Sequence, residues 1–403
     1  MMESCDSKIH ETLETDILEV CDVLVCGGGF AGISAALAAA RCGKKVILLE
    51  KEYLLGGLGT AGLVTIYLPL CDGVGNQVSF GIAEELLRLS ISLGAEGKYP
   101  SNWLDDNEPS LRTKKDKRFE VQYNPAIFAM LAEELLLKEG VQILYGSYAV
   151  AVQIKENKIQ AVMIENKTGR SAIQCSSVVD ATGDCDITHY AGAPTEKTQR
   201  GNSPAAWYYS CGTSGYRLNM LGFLDVPSDD KEEHKTSIAC NKRFYGLDGK
   251  ELSEYMQLSH DSILKEIKKR KKKEDVVWPV TLATIPQIRM SRKIVGEYVL
   301  AEEEMHQYFE DSIGMVSDWR KRGPVYEVPF RILYSAKVKN LITAGRCVSV
   351  TESMWDIMRV IPCCAVTGQA AGTAATMTDD FSKLDVSALQ KVLKENQVVL
   401  HRK

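Results

Sequence analysis

No apolar run in this 403-residue chain is long enough to cross a bilayer as a helix. The first twenty residues, MMESCDSKIHETLETDILEV, are polar and acidic and lack the apolar core of an export signal. They are expected to form a short leader or edge element ahead of the first strand. Neither sign of charge dominates: 48 Lys and Arg stand against 53 Asp and Glu, so no global field recruits nucleic acid. The twelve cysteines contain no Cys-x-x-Cys pair and no Cys/His cluster of metal-site spacing. A disulfide framework belongs to much shorter secreted chains. The expectation is free thiols, no metal, a cytoplasmic location, and no nucleic-acid or membrane partner. No internal repeat is present, and the length suits two or more domains.

Against those absences, residues 22–50 stand out: DVLVCGGGFAGISAALAAARCGKKVILLE. An apolar strand meets Gly27, Gly29 and Gly32, an Ala-rich helix follows, and a second apolar strand ends on Glu50. Gly27 lets the chain turn sharply out of the strand. Gly29 removes a side chain so that backbone can approach a pyrophosphate. Gly32 lets the helix pack on the sheet, and the helix N-terminus offers free N–H groups to phosphates. Glu50 lies about 23 residues beyond Gly27, where a carboxylate binds a ribose diol. Strand, glycines, helix, strand and acid in this order predict a bound dinucleotide. A tight turn with nothing bound would leave Gly29 unexplained.

Further along, residues 80–94 and 124–138 read as helices, the second starting at Asn124-Pro125 and stopped by Gly140. Residues 96–116 are polar and read as a surface loop or lid, within a wider loop region of about 60–120. A strand at 141–144 precedes three short β segments, 148–154, 159–164 and 171–175, split by turns at Glu156-Asn157 and Thr168-Gly169. A separate strand over 177–184 ends on a second glycine turn. Residues 205–210, 281–288 and 326–332 read as strands, and 252–273 as a helix. The basic run KKRKKK at 268–273 is read as a solvated helix end, its cations at the C-terminal dipole, in preference to a nucleic-acid or membrane contact. A strand over 340–346 and a small-residue helix over 362–377 complete the chain.

Four segments resemble the FAD-dependent oxidoreductases of the glutathione-reductase-like superfold. They are VLVCGGGFAGISAA…VILLEK with LLGGLGTAGLVT, VVDATGDCDI, IPQIRMSRKIVGEYVL, and VPFRILYSAKVKNLITAGRCVS…MRVIPCCAVTGQAAGTAA. They occur in the family's order over nearly the whole chain. The nearest branch is the broad bacterial FAD-dependent oxidoreductase family, distantly similar to fumarate reductase and succinate dehydrogenase flavoproteins. The resemblance implies an α/β fold. A Rossmann-like FAD-binding domain, a parallel sheet with a β-meander, is built from residues 1–194 and 336–403. A mixed α/β substrate domain at 195–335 is inserted into it.

The resemblance also implies a cofactor set. Gly27, Gly29 and Gly32 would hold the pyrophosphate and Glu50 the adenosine ribose, with Phe30, Ala31 and Lys51 also in the cofactor-binding set. Gly56, Gly57 and Thr60 would pass beside the pyrophosphate and the flavin end. Ala181, Thr182, Gly183 and Asp184 would form a second backbone approach. Gly345 and Arg346 would close over the ribityl region. The helix from Pro362 would aim its N-terminus at the flavin pyrimidine, where reduction adds negative charge. No histidine occurs in residues 56–70, so non-covalent FAD is expected. A second Gly-x-Gly-x-x-Gly unit is absent, so no separate nicotinamide domain is expected. Where many relatives carry Arg-Glu-Ser-Arg-Arg, this chain has Arg289-Met290-Ser291-Arg292-Lys293, and a function resting on that carboxylate does not carry over.

The expected reaction is hydride transfer between flavin and a small organic substrate, with an unidentified electron acceptor or donor. A homo-oligomer is left open. Polar candidates near the chemistry are Tyr67, His189, Arg289, Arg292, Arg331, Asp356 and Arg359. Arg359 and Arg292 are expected to anchor or orient substrate, and His189 to move a proton. Each arginine has the alternative of a structural salt bridge. Two other functions stay open: a non-catalytic, redox-responsive flavin-binding protein, and a thiol-dependent flavoenzyme. In the latter, a helix N-terminus would lower the pKa of Cys363 or Cys364.

Overall fold

The computed structural model describes residues 9, 11–97, 120–213, 215–222, 240, 242–273 and 276–402. The expected lid falls largely on 98–119, outside the described residues. The centre is a sheet of seven strands: β1 (Ile17–Cys26), β2 (Val46–Leu49), β3 (Gln142–Leu144), β4 (Tyr148–Lys155), β5 (Lys158–Asn166), β6 (Gly169–Asp180) and β7 (Leu341–Thr343). Their order is β3-β2-β1-β6-β5-β4, with β7 also paired to β6. The pairs β1/β2, β1/β6, β2/β3 and β6/β7 are parallel. The meander β4-β5-β6 is antiparallel. Every residue of β2 is buried, as a parallel strand covered on both faces requires.

The segments expected separately at 171–175 and 177–184 are one strand. β6 runs unbroken for 12 residues because β1 pairs with it along most of its length. Its other edge is shared: β5 covers residues 169–174 and β7 covers 178–180. Asn340 fills the gap between them. Its amide exchanges hydrogen bonds with both backbone groups of Ile159, each at 2.8 Å, and donates to the Ser176 carbonyl at 2.9 Å. A buried edge needs such partners, since orphaned peptide groups are costly.

Helices cover the sheet. α1 (Phe30–Arg41) packs against its face, and α2 (Ile82–Ile91) and α3 (Pro125–Lys138) lie farther out. Asn124 caps α3 by accepting from the Ile127 N–H, with Pro125 in the first turn. The short α4 (Asp186–Tyr190) follows the β6 turn. A second, antiparallel sheet joins Gly215–Leu221, Ala206–Gly212 and Val277–Leu282 in that order, and α5 (Gly249–Arg270) lies against it. Lys268, Lys269 and Lys271 are exposed, whereas Arg270 turns inward to Ser210 Oγ at 3.0 Å.

Two strand expectations shift. The strand expected at 281–288 is Val277–Leu282. Beyond it the chain runs irregularly along another loop, tied by Thr284 N to Ala61 O at 2.9 Å and Gln287 Nε2 to Gly62 O at 2.7 Å. The segment expected at 326–332 is strand Val325–Pro329, followed by a tight turn over Phe330–Ile332. That strand pairs with Ser312–Ser317, and Ile313, Val316, Tyr326 and Val328 belong to the main core. α6 (Glu352–Met358), α7 (Ile361–Ala375) and α8 (Val386–Glu395) finish the chain.

Candidate functional site

The three fingerprint glycines have three different surroundings. Gly27 adopts φ +105°, and a Cβ there would lie 2.4 Å from the Ala181 carbonyl oxygen. A Cβ on Gly32 would lie 1.8 Å from the Gly27 carbonyl oxygen. These two are glycines because the protein itself crowds them. Gly29 meets nothing within 4 Å and has φ −71°. It borders a cleft, and its Cβ position is open space, so backbone can come close to whatever the cleft holds. The residues present therefore fit a dinucleotide pyrophosphate.

Around Gly29 the cleft is walled by backbone. Gly56 N donates to Gly28 O at 2.8 Å, and Gly57 packs on Gly29, its Cβ position 3.3 Å from the Gly29 Cα. Thr60 sits behind this wall. It is buried, its hydroxyl donates to the Leu55 carbonyl, and it shapes the loop without lining the cleft. Glu50 does line the cleft. Its carboxylate accepts from Gly28 N and Glu52 N, both at 2.8 Å, through different oxygens. Burial pushes its carboxyl above the usual range, while these two N–H groups pull the other way. Lys51 stands beside it.

The second turn, Ala181 to Asp184, lines the cleft too and packs against Gly27. Asp180 organises it from beneath: one oxygen accepts from the Thr182 hydroxyl at 2.7 Å, the other from Thr188 N at 2.8 Å and Thr188 Oγ1 at 2.7 Å. Sequence inspection passed over Asp180, although Asp-x-Thr is a recognisable side-chain-to-backbone turn pattern. Arg346 reaches across from the end of β7. Its guanidinium donates to the Ile288 carbonyl and lies 3.7 Å from Asp184 Oδ1. A Cβ on Gly183 would come 2.2 Å from Arg346 Nη2, so glycine here admits the guanidinium. Gly345, at φ +67°, donates to Thr367 Oγ1 at 2.9 Å.

The far end of the cleft is the start of α7, where Ile361 and Cys364 line it with Arg359. Pro362 is buried in the first turn, and the N-cap residue Val360 has no side chain that could accept from the first N–H groups of α7. Phe30 lines the cleft and stacks on Phe128 at 4.4 Å between ring centroids.

The polar candidates separate sharply. Tyr67 is buried among aromatics and donates to the Ala83 carbonyl at 2.6 Å; it is a core residue. His189 is exposed on α4, outside the cleft, because the helical phase turns Ile187 inward instead. Burial and the nearby Arg292 charge hold its pKa below the usual histidine value. Arg292 donates to Asp186 at 2.9 Å and to the Asp184 carbonyl at 2.9 Å, and so braces the second turn. Burial and the neighbouring Asp184 push Asp186 up to about 6. Arg331 pairs with Asp311 at 2.9 Å. Arg359 borders the cleft and pairs with the fully buried Asp356 at 3.2 Å. Asp356 also receives Arg200 Nη2 on both oxygens, at 3.0 and 2.9 Å. Arg200 was not foreseen, since its partner lies 156 residues away.

The expected lowering of the Cys363 and Cys364 pKa values is reversed. Both thiols are buried, which pushes Cys363 well up and Cys364 to about 12. Desolvation of a thiolate outweighs the helix terminus here. The cysteines among the described residues are all free. Among the described residues there is no metal-binding cluster and no helix long and apolar enough to cross a membrane.

The vinyl phenol reductase of Lactiplantibacillus plantarum is 26% identical over 255 residues, covering 54% of this chain and 51% of that protein. The thiamine thiazole synthase of Methanococcus vannielii is 33% identical over 178 residues, covering 42% of this chain and 58% of that one. The chain thus spans little more than half the length of these curated relatives. A geranylgeranyl bacteriochlorophyll reductase-like protein from Thermoplasma acidophilum superposes over 94% of this chain and 84% of its own, with TM-score 0.45 and 17% identity. The family model described as FAD dependent oxidoreductase matches residues 22–279 and 213–393. That span takes in both glycine turns, Arg346 and α7, the parts that build the cleft, and the chain belongs to the FAD dependent oxidoreductase family.

Proposed function

We propose that this protein binds FAD non-covalently along the cleft and passes a hydride between the flavin and a small organic substrate. The observation that carries the reading is Gly29: its Cβ space is open on the cleft while Gly27 and Gly32 are closed by protein. Glu50 would receive the adenosine ribose hydroxyls on lone pairs left over from its two backbone bonds. The Gly29 and Gly57 backbones and the start of α1 would receive the pyrophosphate. Arg346 would cover the ribityl segment, fixed there by Ile288 and Asp184. Bound flavin supplies the acceptor or donor of the hydride. The uncapped first turn of α7 would favour negative charge on the adjacent ring. Arg359, held by Asp356, would orient substrate at that end.

The test is reconstitution followed by anaerobic turnover. Protein mixed with FAD and desalted is expected to retain a flavin spectrum, and acid precipitation to release all of the flavin to the supernatant. After photoreduction, a screen of metabolites, a vinyl phenol among them, is expected to find at least one that restores the oxidised spectrum. Protein that stays colourless, or flavin that stays with the acid pellet, would sink the reading.

A further inference from the structure

Arg289 does not itself line the cleft, and it differs from the other arginines considered. Arg292, Arg331, Arg346, Arg359 and Arg200 each have a carboxylate partner. Arg289 is only 8% exposed, and neither its Nε nor its Nη2 has a hydrogen-bond partner among the described residues. Its guanidinium lies over the Trp207 ring, 5.1 Å from the centroid. A ring face attracts the cation but carries no full negative charge to offset it. A guanidinium also cannot shed its proton, and a buried charge without a counter-charge is costly.

We infer that Arg289 is the anion anchor of the substrate site and that its ligand is a carboxylate. This rests on the proposed oxidoreductase function. Nε–H and one Nη–H form an edge of the planar fork, and two parallel N–H groups match the two oxygens of a carboxylate. The backbone that carries the side chain is held in place. Arg289 N and Met290 N both donate to Asn202 Oδ1 at 3.0 Å, and Asn202 Nδ2 donates to the Met290 and Phe244 carbonyls at 2.6 and 2.9 Å. Asn202 is fully buried, so this stretch of backbone is tied to an immobile side chain. Its neighbours tie it to the cleft. Ile288 lines the cleft and receives Arg346. The Met290 sulfur lies 3.4 Å from Arg200 Nη2, which shares Asp356 with the cleft-lining Arg359. Both orphan N–H groups are enclosed, so a carboxylate reaches them by displacing a packed neighbour, and association is expected to be slower than a rigid-site encounter.

The experiment titrates FAD-reconstituted protein with benzoate and with benzamide, an isostere without the charge, and follows the flavin difference spectrum. Benzoate is expected to perturb the spectrum saturably and benzamide at least tenfold more weakly. Arg289→Met and Arg289→Lys are titrated alongside, and melting temperatures are recorded without benzoate. Arg289→Met is expected to abolish the preference for benzoate and to raise the melting temperature, because it removes an uncompensated charge. Arg289→Lys is expected to keep a weakened preference, with charge but no fork. A melting temperature lowered by Arg289→Met with benzoate affinity intact would assign Arg289 a purely structural role. Equal response to benzoate and benzamide, or a response to inorganic phosphate alone, would also overturn the inference. Protein that never retains FAD would sink the oxidoreductase reading instead. The benzoate-dependent melting shift of the FAD-free wild type and Arg289→Met would then still decide for Arg289.

Discussion

Gly372 of α7 rests on the carbonyl of Ala35 in α1: a Cβ at 372 would lie 2.1 Å from that oxygen. One turn earlier, a Cβ on Gly368 would lie 2.2 Å from the Ala31 carbonyl oxygen. The matching order of these pairs makes α1 and α7 parallel, so both N-termini open on the same cleft. α1 begins one residue before Ala31 and α7 begins seven before Gly368. Six residues at 1.5 Å each place the start of α7 about 9 Å beyond that of α1 along the common direction. Two positive helix ends are thus spaced along the cleft.

Gly372→Ala is expected to destabilise the protein by about 1–3 kcal/mol, since the methyl must force the helices apart. FAD affinity is expected to fall with it, because the spacing of the helix ends changes. Urea denaturation and flavin fluorescence titration measure the two effects.

Gly29→Ala and Gly27→Ala are expected to separate ligand space from backbone need. Gly29 has room and ordinary φ, so Gly29→Ala should leave melting of the FAD-free protein within about 0.5 kcal/mol of wild type. It should cost on the order of tenfold or more in FAD affinity, about 1.4 kcal/mol. Gly27→Ala, at φ +105° and against the Ala181 carbonyl, should unfold or strongly destabilise the chain even without FAD.

The buried thiols are expected to be inert. Cys364, with its pKa near 12, and Cys363 should resist alkylation by iodoacetamide at pH 8 in the folded protein. The double Cys363→Ser, Cys364→Ser variant should retain flavin binding. Cys364 also contributes a pH dependence to stability. Its folded pKa lies above the reference value of 9.0, so its neutral form favours the fold fully below about pH 9. That contribution fades as pH rises toward 12, because the unfolded chain ionises first. Rapid labelling of either cysteine at pH 8 would contradict the burial.

Asp356→Ala is expected to cost about 3–5 kcal/mol, because it leaves Arg200 and Arg359 without their shared carboxylate. Asp356→Asn should retain part of the geometry and a correspondingly larger share of stability. Chemical denaturation of both variants, compared with Arg200→Met, measures this coupling.

Asn340→Ala is expected to destabilise by about 1–3 kcal/mol, by orphaning the Ile159 and Ser176 backbone groups at the split edge of β6. Amide hydrogen exchange should speed up at Ile159 first.

The dinucleotide half of this protein was legible in residues 22–50 because its determinants are local. A glycine forced to positive φ, a helix start and an acid at the next strand end lie within one βαβ unit, where chain geometry fixes their relation. The meander and α3 were legible for the same reason, through Glu156-Asn157, Thr168-Gly169 and Asn124-Pro125. The continuity of β6 was not, since β1 and β7, distant in sequence, supply its pairing. Nor was the fate of the arginines. Arg292, Arg331 and Arg359 read alike in sequence, and their carboxylate partners are set by tertiary contacts. Only the folded chain distinguishes Arg289, because charge compensation depends on which groups meet in space, and burial sets what an unmet charge costs.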